Sequence, residues 1–493
     1  MIILQLLISQ FQNKGQPDGR FTVDKPLYQK IIDDVIHDIN NGVLEPGMKI
    51  PSQRSLAAHY HVNRTTVVHA IEQLKSEGIL ETKEKQGIYV ADNNWSKYIH
   101  NNLNWQNYIG NSSSANNQFY IREINRCEFQ KDIIRLSTGE LSPSLIPNDQ
   151  FREIIQNDWD IQLSSNYEEP KGNILLRKQI KALAEKRGIN CEVEEICITS
   201  GALQGLKLIA DGLLIPKSKI IVETPSYINS IRTWHNIHSK IVPLSIDYIK
   251  TNINSIFREN EDYTGSLFYC NPTLHNPTTH TYSIEEKYKI LDQCKRKGIP
   301  IVEDDIYSEL WFDGQIPKSM KELDDTNQVL YLGSLSKTVS PGLRIGWLIG
   351  NERVIDHLAD LKMQNDYGAS SISQFIATKW LENYHEEHIE KIKEKLKRSK
   401  QIMEQALTKY LADLGWWKPV EGSFYIWFRF NKRIDLKKLF QMALGEHILI
   451  HPGEIYSDKA NDSLRFSYSY IDENDIESSI NKLRMIIDRN KLV

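Results

Sequence analysis

The 493-residue sequence predicts a multidomain chain. A small α+β module of winged helix-turn-helix type precedes a much larger α/β domain, which ends in a small α+β subdomain. Three observations predict this. Residues 52–78 hold two short helical patterns joined by a tight turn, and the hairpin-like run ILETKEKQGIYV comes after them. Residues 93–130 are rich in Asn and Ser without sustained periodicity, as a linker is. From residue 131 onward short apolar runs take turns with helical patterns, which argues for a largely parallel sheet covered on both faces.

Composition narrows the function classes. The formal net charge is −4, with 25% charged and 40% hydrophobic residues, so any nucleic-acid contact must come from a local patch. Cys127, Cys191, Cys197, Cys270 and Cys294 form no CxxC pair and read as reduced thiols of a cytosolic protein. The histidines lack metal-binding spacing, so no metal is expected. MIILQLLISQF is too short to span a bilayer and lacks a basic start and a cleavage site. Residues 1–23 therefore read as an N-terminal extension, and the cytoplasm is the expected location.

In the module expected over residues 24–92, PLYQKIIDDVIHDINNG is an amphipathic helix closed by Gly42, and LEPGMKIPS is a turn. Ser52 and Asn63 are the expected N-caps of the next two helices, joined by a turn at His61–Val62. Val67, Ala70, Ile71 and Leu74 share one face of the second helix, leaving Arg64, Thr65, Thr66 and His69 outside it. Gly78 ends that helix. From Lys49 to Ile71 there are three Lys or Arg residues and no acid. Arg64 starts the second helix, where helix-turn-helix proteins touch bases and phosphates.

PLYQKI, GVLEPGMKIPSQRSLA, NRTTVVHAIEQL and EGILETKEKQGIYV together resemble the GntR winged-helix domain. The resemblance implies DNA contacts at Arg54 and Arg64, with Thr65 and Thr66 beside them. It also implies a wing around Lys85 to Gly87 near the minor groove. Asn63 stands where that family usually has Ser, and Lys85 where its wing usually has a first Gly.

In the larger domain EEICIT, SKIIVE, SLFYC, IPIVE and QVLYL read as buried strands. Ligands of open α/β sheets bind outside the carboxyl ends of strands, so the residues after each run converge. SGALQGLKL opens a helix whose first N–H groups, at Ala202 and Leu203, suit a phosphate. TPSY brings Tyr227 to cover a planar ring, and NPTLHNPTT brings Asn276 to a ring substituent. Asp304 suits a protonated pyridine nitrogen, with Tyr307 near it, and Lys337 supplies an amine. Ser334 and Arg344 flank that lysine as further phosphate ligands. Pyridoxal 5′-phosphate needs this set: a Schiff-base lysine, an acid at the ring nitrogen and an anion nest.

The same order resembles fold-type I aminotransferases over residues 131–493, with a large subdomain at about 165–375 and a small one at about 376–493. The matching motifs are LSTGELSPSLIP, NYEEPKGNILLR, TSGALQGL, ETPSY, NPTLHNPTT, VEDDIYSEL, SLSKTVSPGLRIGW and SLRFSYS. The resemblance implies that Asn276 and Tyr307 contact the ring hydroxyl, that Tyr167 reaches the phosphate of a neighbouring subunit in a dimer, and that Arg465 grips an α-carboxylate. Thr279 replaces the usual Gly of the NPTG turn, and Leu203 stands where relatives often have a polar phosphate ligand.

A GntR winged helix joined to such a domain is similar to the MocR/GabR family of bacterial transcription regulators. The implied function is sensing of an amino compound by external aldimine formation, in a domain-swapped homodimer bound to operator DNA. Two alternatives remain open: a working aminotransferase that carries a DNA-binding domain, and a sensor of pyridoxal phosphate itself.

Overall fold

The computed structural model describes residues 26–40, 43–83, 87–91, 119–157, 167–231, 234 and 239–492. The N-terminal extension, Gly42, Lys85 and most of the expected linker lie outside the described residues. The chain divides into two units, 1–113 and 114–493.

In the first unit, helices Leu27–Asn40, Gln53–Tyr60 and Arg64–Ser76 precede the antiparallel hairpin of β1 (Leu80–Lys83) and β2 (Gly87–Val90). Val67, Ala70, Ile71 and Leu74 are buried against Ile31, Val35 and Leu56, as the helical spacing requires. Ser52 caps the second helix, its Oγ accepting the Ser55 N–H at 3.2 Å. Asn63 holds the N-cap position of the third helix but makes no side-chain cap. The Thr66 N–H bonds the Asn63 carbonyl instead, at 3.0 Å. The turn between these helices places His61 in the left-handed region at φ 53°.

The second unit is built on a seven-stranded sheet. Its strands are β4 (Ile196–Thr199), β5 (Lys219–Thr224), β6 (Lys240–Ser245), β7 (Leu267–Cys270), β8 (Ile301–Asp304), β9 (Val329–Ser334) and β10 (Gly346–Ile349), in the order β4-β10-β9-β8-β7-β5-β6. Only β10 runs antiparallel, between β4 and β9. Alternate residues enter opposite layers. Ile220, Val222, Leu267 and Tyr269 pack with the helix Ala202–Leu213, whereas Ile221, Phe268, Cys270 and Ile301 pack with the helix Ile284–Lys297. Burial on both faces explains why these strands are continuously apolar.

A smaller antiparallel sheet joins β11 (Gly415–Trp416), β12 (Tyr425–Phe430), β15 (Ser463–Ser467) and β14 (His451–Pro452). The long helix His385–Leu411 and the helix Glu473–Arg489 cover it. The short parallel pair β3 (Ile134–Arg135) and β13 (Ile448–Leu449) ties the start of this unit to its end. Residues 119–127, within the stretch that reads as linker, form a helix. Its Tyr120, Ile124 and Cys127 enter the core of the smaller subdomain. The text REINRC is mostly polar, and its apolar stripe is visible only once those three positions share a face. No helix among the described residues is long and apolar enough to cross a membrane.

Candidate functional site

The carboxyl ends of the parallel strands converge as the strand order requires. β4 ends in the Ser200–Gly201 turn, and the helix Ala202–Leu213 starts there without a side-chain cap. Gly201 lies at φ +84°, and a Cβ on it would come within 2.6 Å of the Arg344 guanidinium. The positive φ is what favours glycine there. Arg344 donates to the Ser200 carbonyl at 3.0 Å, so a fixed cation sits beside an uncapped helix N-terminus, an arrangement suited to a phosphate. The Ser334 hydroxyl, on the same side, donates to the Ile345 carbonyl at 3.1 Å.

Asp304, the last residue of β8, is 3% exposed. Its Oδ2 accepts the Tyr269 hydroxyl at 2.6 Å, and its Oδ1 is buried without a partner. Burial pushes its carboxyl up to about 6, and Lys337 pulls against that rise. Tyr227 comes after β5; its N–H bonds the Asn276 carbonyl at 3.1 Å, and burial pushes its phenol up to about 12. The Asn276 amide donates to the Tyr307 hydroxyl at 3.4 Å and accepts Arg465 Nη1 at 2.9 Å. Tyr307 and Tyr425 share a hydroxyl–hydroxyl bond of 2.8 Å. Lys337 Nζ donates to the Gly139 carbonyl at 2.6 Å.

One cavity of about 570 Å³ is lined by Lys337, Asp304, Asn276, Tyr307, Tyr227, Ser334, Arg344, Ala202, Leu203 and Arg465. Tyr167 is outside it, 77% exposed, with its ring 4.7 Å from that of Tyr367. Arg465 is 4% exposed and already held by protein. Its Nη2 donates to the Ser137 carbonyl at 2.7 Å and meets His451 Nδ1 at 3.1 Å, and its guanidinium lies 4.0 Å from the centre of the Tyr425 ring. Burial, and to a lesser extent Arg465, drives the His451 imidazole well below its ordinary range, so it is neutral.

Sequence reasoning missed Tyr425, His451 and Tyr456, which also line the cavity. YIWFRF reads as an ordinary core strand, and nothing in its pattern separates Tyr425 from packing aromatics. Thr279 sits at φ 56°, where a β-branched residue is strained. Thr279→Gly is therefore expected to raise the urea midpoint of the larger unit, the relieved strain being about 1 kcal/mol.

In the first unit Arg54, Arg64 and Thr65 are exposed and Thr66 is partly so. Arg64 donates through Nε and Nη2 to Gln53 Oε1 at 3.3 and 3.2 Å, bridging the two helices of the motif.

The fold and the cavity define an aminotransferase-type domain in a chain that also carries a winged helix-turn-helix unit. Residues 131–483 match the family of class I and II aminotransferases, and residues 27–90 match the gntR family of bacterial regulatory proteins. The chain is 39% identical to the uncharacterized HTH-type transcriptional regulator YisV of Bacillus subtilis, over 93% of this chain and 95% of that protein. It is 34% identical to the HTH-type transcriptional regulator NorG of Staphylococcus aureus, over 88% of this chain and 98% of NorG. Among solved structures it resembles a kynurenine aminotransferase from Pyrococcus horikoshii in complex with PMP, with a TM-score of 0.69 and 26% identity over 76% of this chain and 95% of that one. It also resembles a multiple substrate aminotransferase from Thermococcus profundus, with a TM-score of 0.70 and 25% identity over 79% and 99%. The chain belongs to the MocR/GabR family of bacterial transcription regulators, in which a GntR-type winged helix is joined to an aminotransferase class I/II domain.

Proposed function

We propose that this transcription regulator holds pyridoxal 5′-phosphate in the cavity at Lys337 and changes its affinity for operator DNA when an amino compound enters there. The observation that carries this reading is the unpartnered, buried Asp304 Oδ1 in a cavity that also presents the Lys337 amine. A buried acceptor without a donor is costly, and a protonated ring nitrogen is the donor it lacks. When bound, the cofactor supplies an aldehyde carbon that condenses reversibly with primary amines.

The residues then divide the work. Arg344, Ser334 and the N–H groups of Ala202 and Leu203 bind the phosphate. Tyr227 covers the ring, while Asn276 and Tyr307 orient its hydroxyl. Arg465 offers its guanidinium to an effector carboxylate, which must displace part of its hold on Asn276 and Ser137. Tyr167, exposed and outside its own cavity, reaches the phosphate of a second copy in a homodimer. An effector moves the DNA-binding equilibrium only by its differential affinity for two states.

The test is the visible absorbance of protein loaded with pyridoxal phosphate while amines are added, with DNA affinity followed in parallel. A band that shifts with an amine and then holds, together with a change in DNA affinity, supports the reading. A band bleached by the amine and restored by a 2-oxo acid makes the domain a working aminotransferase. Switching of DNA affinity by the cofactor alone overturns amine sensing in favour of cofactor sensing. On the DNA side, Arg64→Ala is expected to weaken binding to a DNA fragment selected by the parent protein by about 1–3 kcal/mol. The helical circular dichroism should be unchanged, because Arg64 is exposed.

A further inference from the structure

The charges of the cavity do not balance once the proposed cofactor roles are assigned. Asp304, Glu128 and Glu140 line it as carboxylates, and Lys337, Arg344 and Arg465 as cations. Asp304 answers a ring nitrogen, Arg344 a phosphate and Arg465 an effector carboxylate. Glu128 and Glu140 are left over. Glu128 comes directly after the helix Phe119–Cys127, and Glu140 comes after Gly139, whose carbonyl takes the Lys337 amine. Neither forms a salt bridge among the described residues. Burial and the neighbouring Glu140 push the Glu128 carboxyl upward while Arg135 pulls it down. The Arg135 guanidinium lies over the Tyr470 ring, 4.4 Å from its centre.

A second observation points to a ligand at the same wall. Thr138, 3% exposed, lines the cavity and its buried hydroxyl has no hydrogen-bond partner. The segment that carries it is held in place. Gly139 lies so close to Tyr425 that an added Cβ would stand 2.2 Å from the phenol oxygen. Thr138 and Glu140 thus flank the lysine amine on a fixed support, with Glu128 facing the same space.

We propose that the effector is an amino compound with a second cationic group, a basic amino acid or a diamine, whose distal charge is received by Glu128 and Glu140 with the Thr138 hydroxyl as a further acceptor. The inference rests on the amine-sensing reading above and narrows it. Two carboxylates close enough to raise the Glu128 carboxyl, with Arg135 acting on it only from beyond salt-bridge distance, favour a ligand that neutralises them, and in a half-buried site such a contact is little screened. The selectivity is therefore built from repulsion relieved as well as attraction gained.

The experiment uses the full chain loaded with pyridoxal phosphate and reads the visible band against added L-ornithine and L-lysine, compared with their neutral counterparts L-norvaline and L-norleucine. The cationic compounds are expected to half-saturate the change at concentrations at least about 10-fold lower. In Glu128→Gln/Glu140→Gln that ratio falls toward one. In Glu128→Lys the preference moves toward L-glutamate, which keeps the test informative if the double variant folds poorly. Neutral amines that act as well as cationic ones would overturn this inference and leave amine sensing standing. A band that no amine moves would overturn both.

Discussion

Lys337→Ala is expected to abolish the lysine-dependent visible band that the cofactor-loaded protein shows before any amine is added. Lys337 stands three residues beyond the end of β9, and its amine touches the Gly139 carbonyl. Among the described residues no other lysine lines the cavity, so none of them offers a second amine. The substitution removes a half-buried side chain at a turn rather than a core anchor, and the far-ultraviolet circular dichroism should be retained. The proposed phosphate site at Arg344 and the helix N-terminus is left untouched, so added cofactor is expected to associate still, reversibly and without the lysine-dependent band. A band of parental intensity in the variant would remove Lys337 from its proposed role.

Asp304→Asn is expected to split cofactor affinity from stability. The carboxyl moves from 3.8 to about 6 on folding because it is buried. A raised acid contributes stability fully below pH 3.8 and loses it as pH rises through about 6. Above that range the protein without cofactor carries a buried charge whose Oδ1 lacks a partner. Asparagine keeps an acceptor for the Tyr269 hydroxyl and carries no charge. The variant without cofactor should therefore be more stable than the parent by about 3 kcal/mol at pH 8, the shift converting at ~1.4 kcal/mol per unit. That gap should shrink toward pH 4. Cofactor should bind more weakly, about 10- to 100-fold, since a charge-assisted hydrogen bond is worth ~1.5–3 kcal/mol. Urea midpoints across pH, with and without pyridoxal phosphate, check both halves. A gap that widens toward acid would overturn the reading of Asp304.

Much of the site could be read in advance because its physics is local and ordered along the chain. A buried strand is continuously apolar, and the parallel topology places the residues beyond its carboxyl end. Tyr227, Asn276, Asp304 and Lys337 each close such a run or come after one, and all line one cavity. The missed strands fail this logic for identifiable reasons. β6 is an edge strand, KIVPLS, with polar positions and Pro243 inside it. β10 runs antiparallel, so the residues beyond its carboxyl end do not come to the edge where the site lies. Asn63 shows the limit at a single residue: its type suits a cap, but the carbonyl takes the bond.

The sequence by itself determined the two domain types, five of the large sheet's buried strands and the residues after them, because periodicity, turn chemistry and strand ends are properties of neighbouring residues. Tertiary structure alone decided the order of strands in that sheet and which further side chains, Tyr425, His451, Tyr456 and Glu128 among them, share the cavity wall. Residues 119–127 read as linker, yet they fold as a helix whose apolar stripe joins the small subdomain core, and Glu128 stands at its end. Tyr425, His451 and Arg465 meet because β12, β15 and β14 pair in register. Whether Asp304 titrates near 6 or near its ordinary value depends on burial, which requires the whole sheet to close over it. No window of local sequence contains that information.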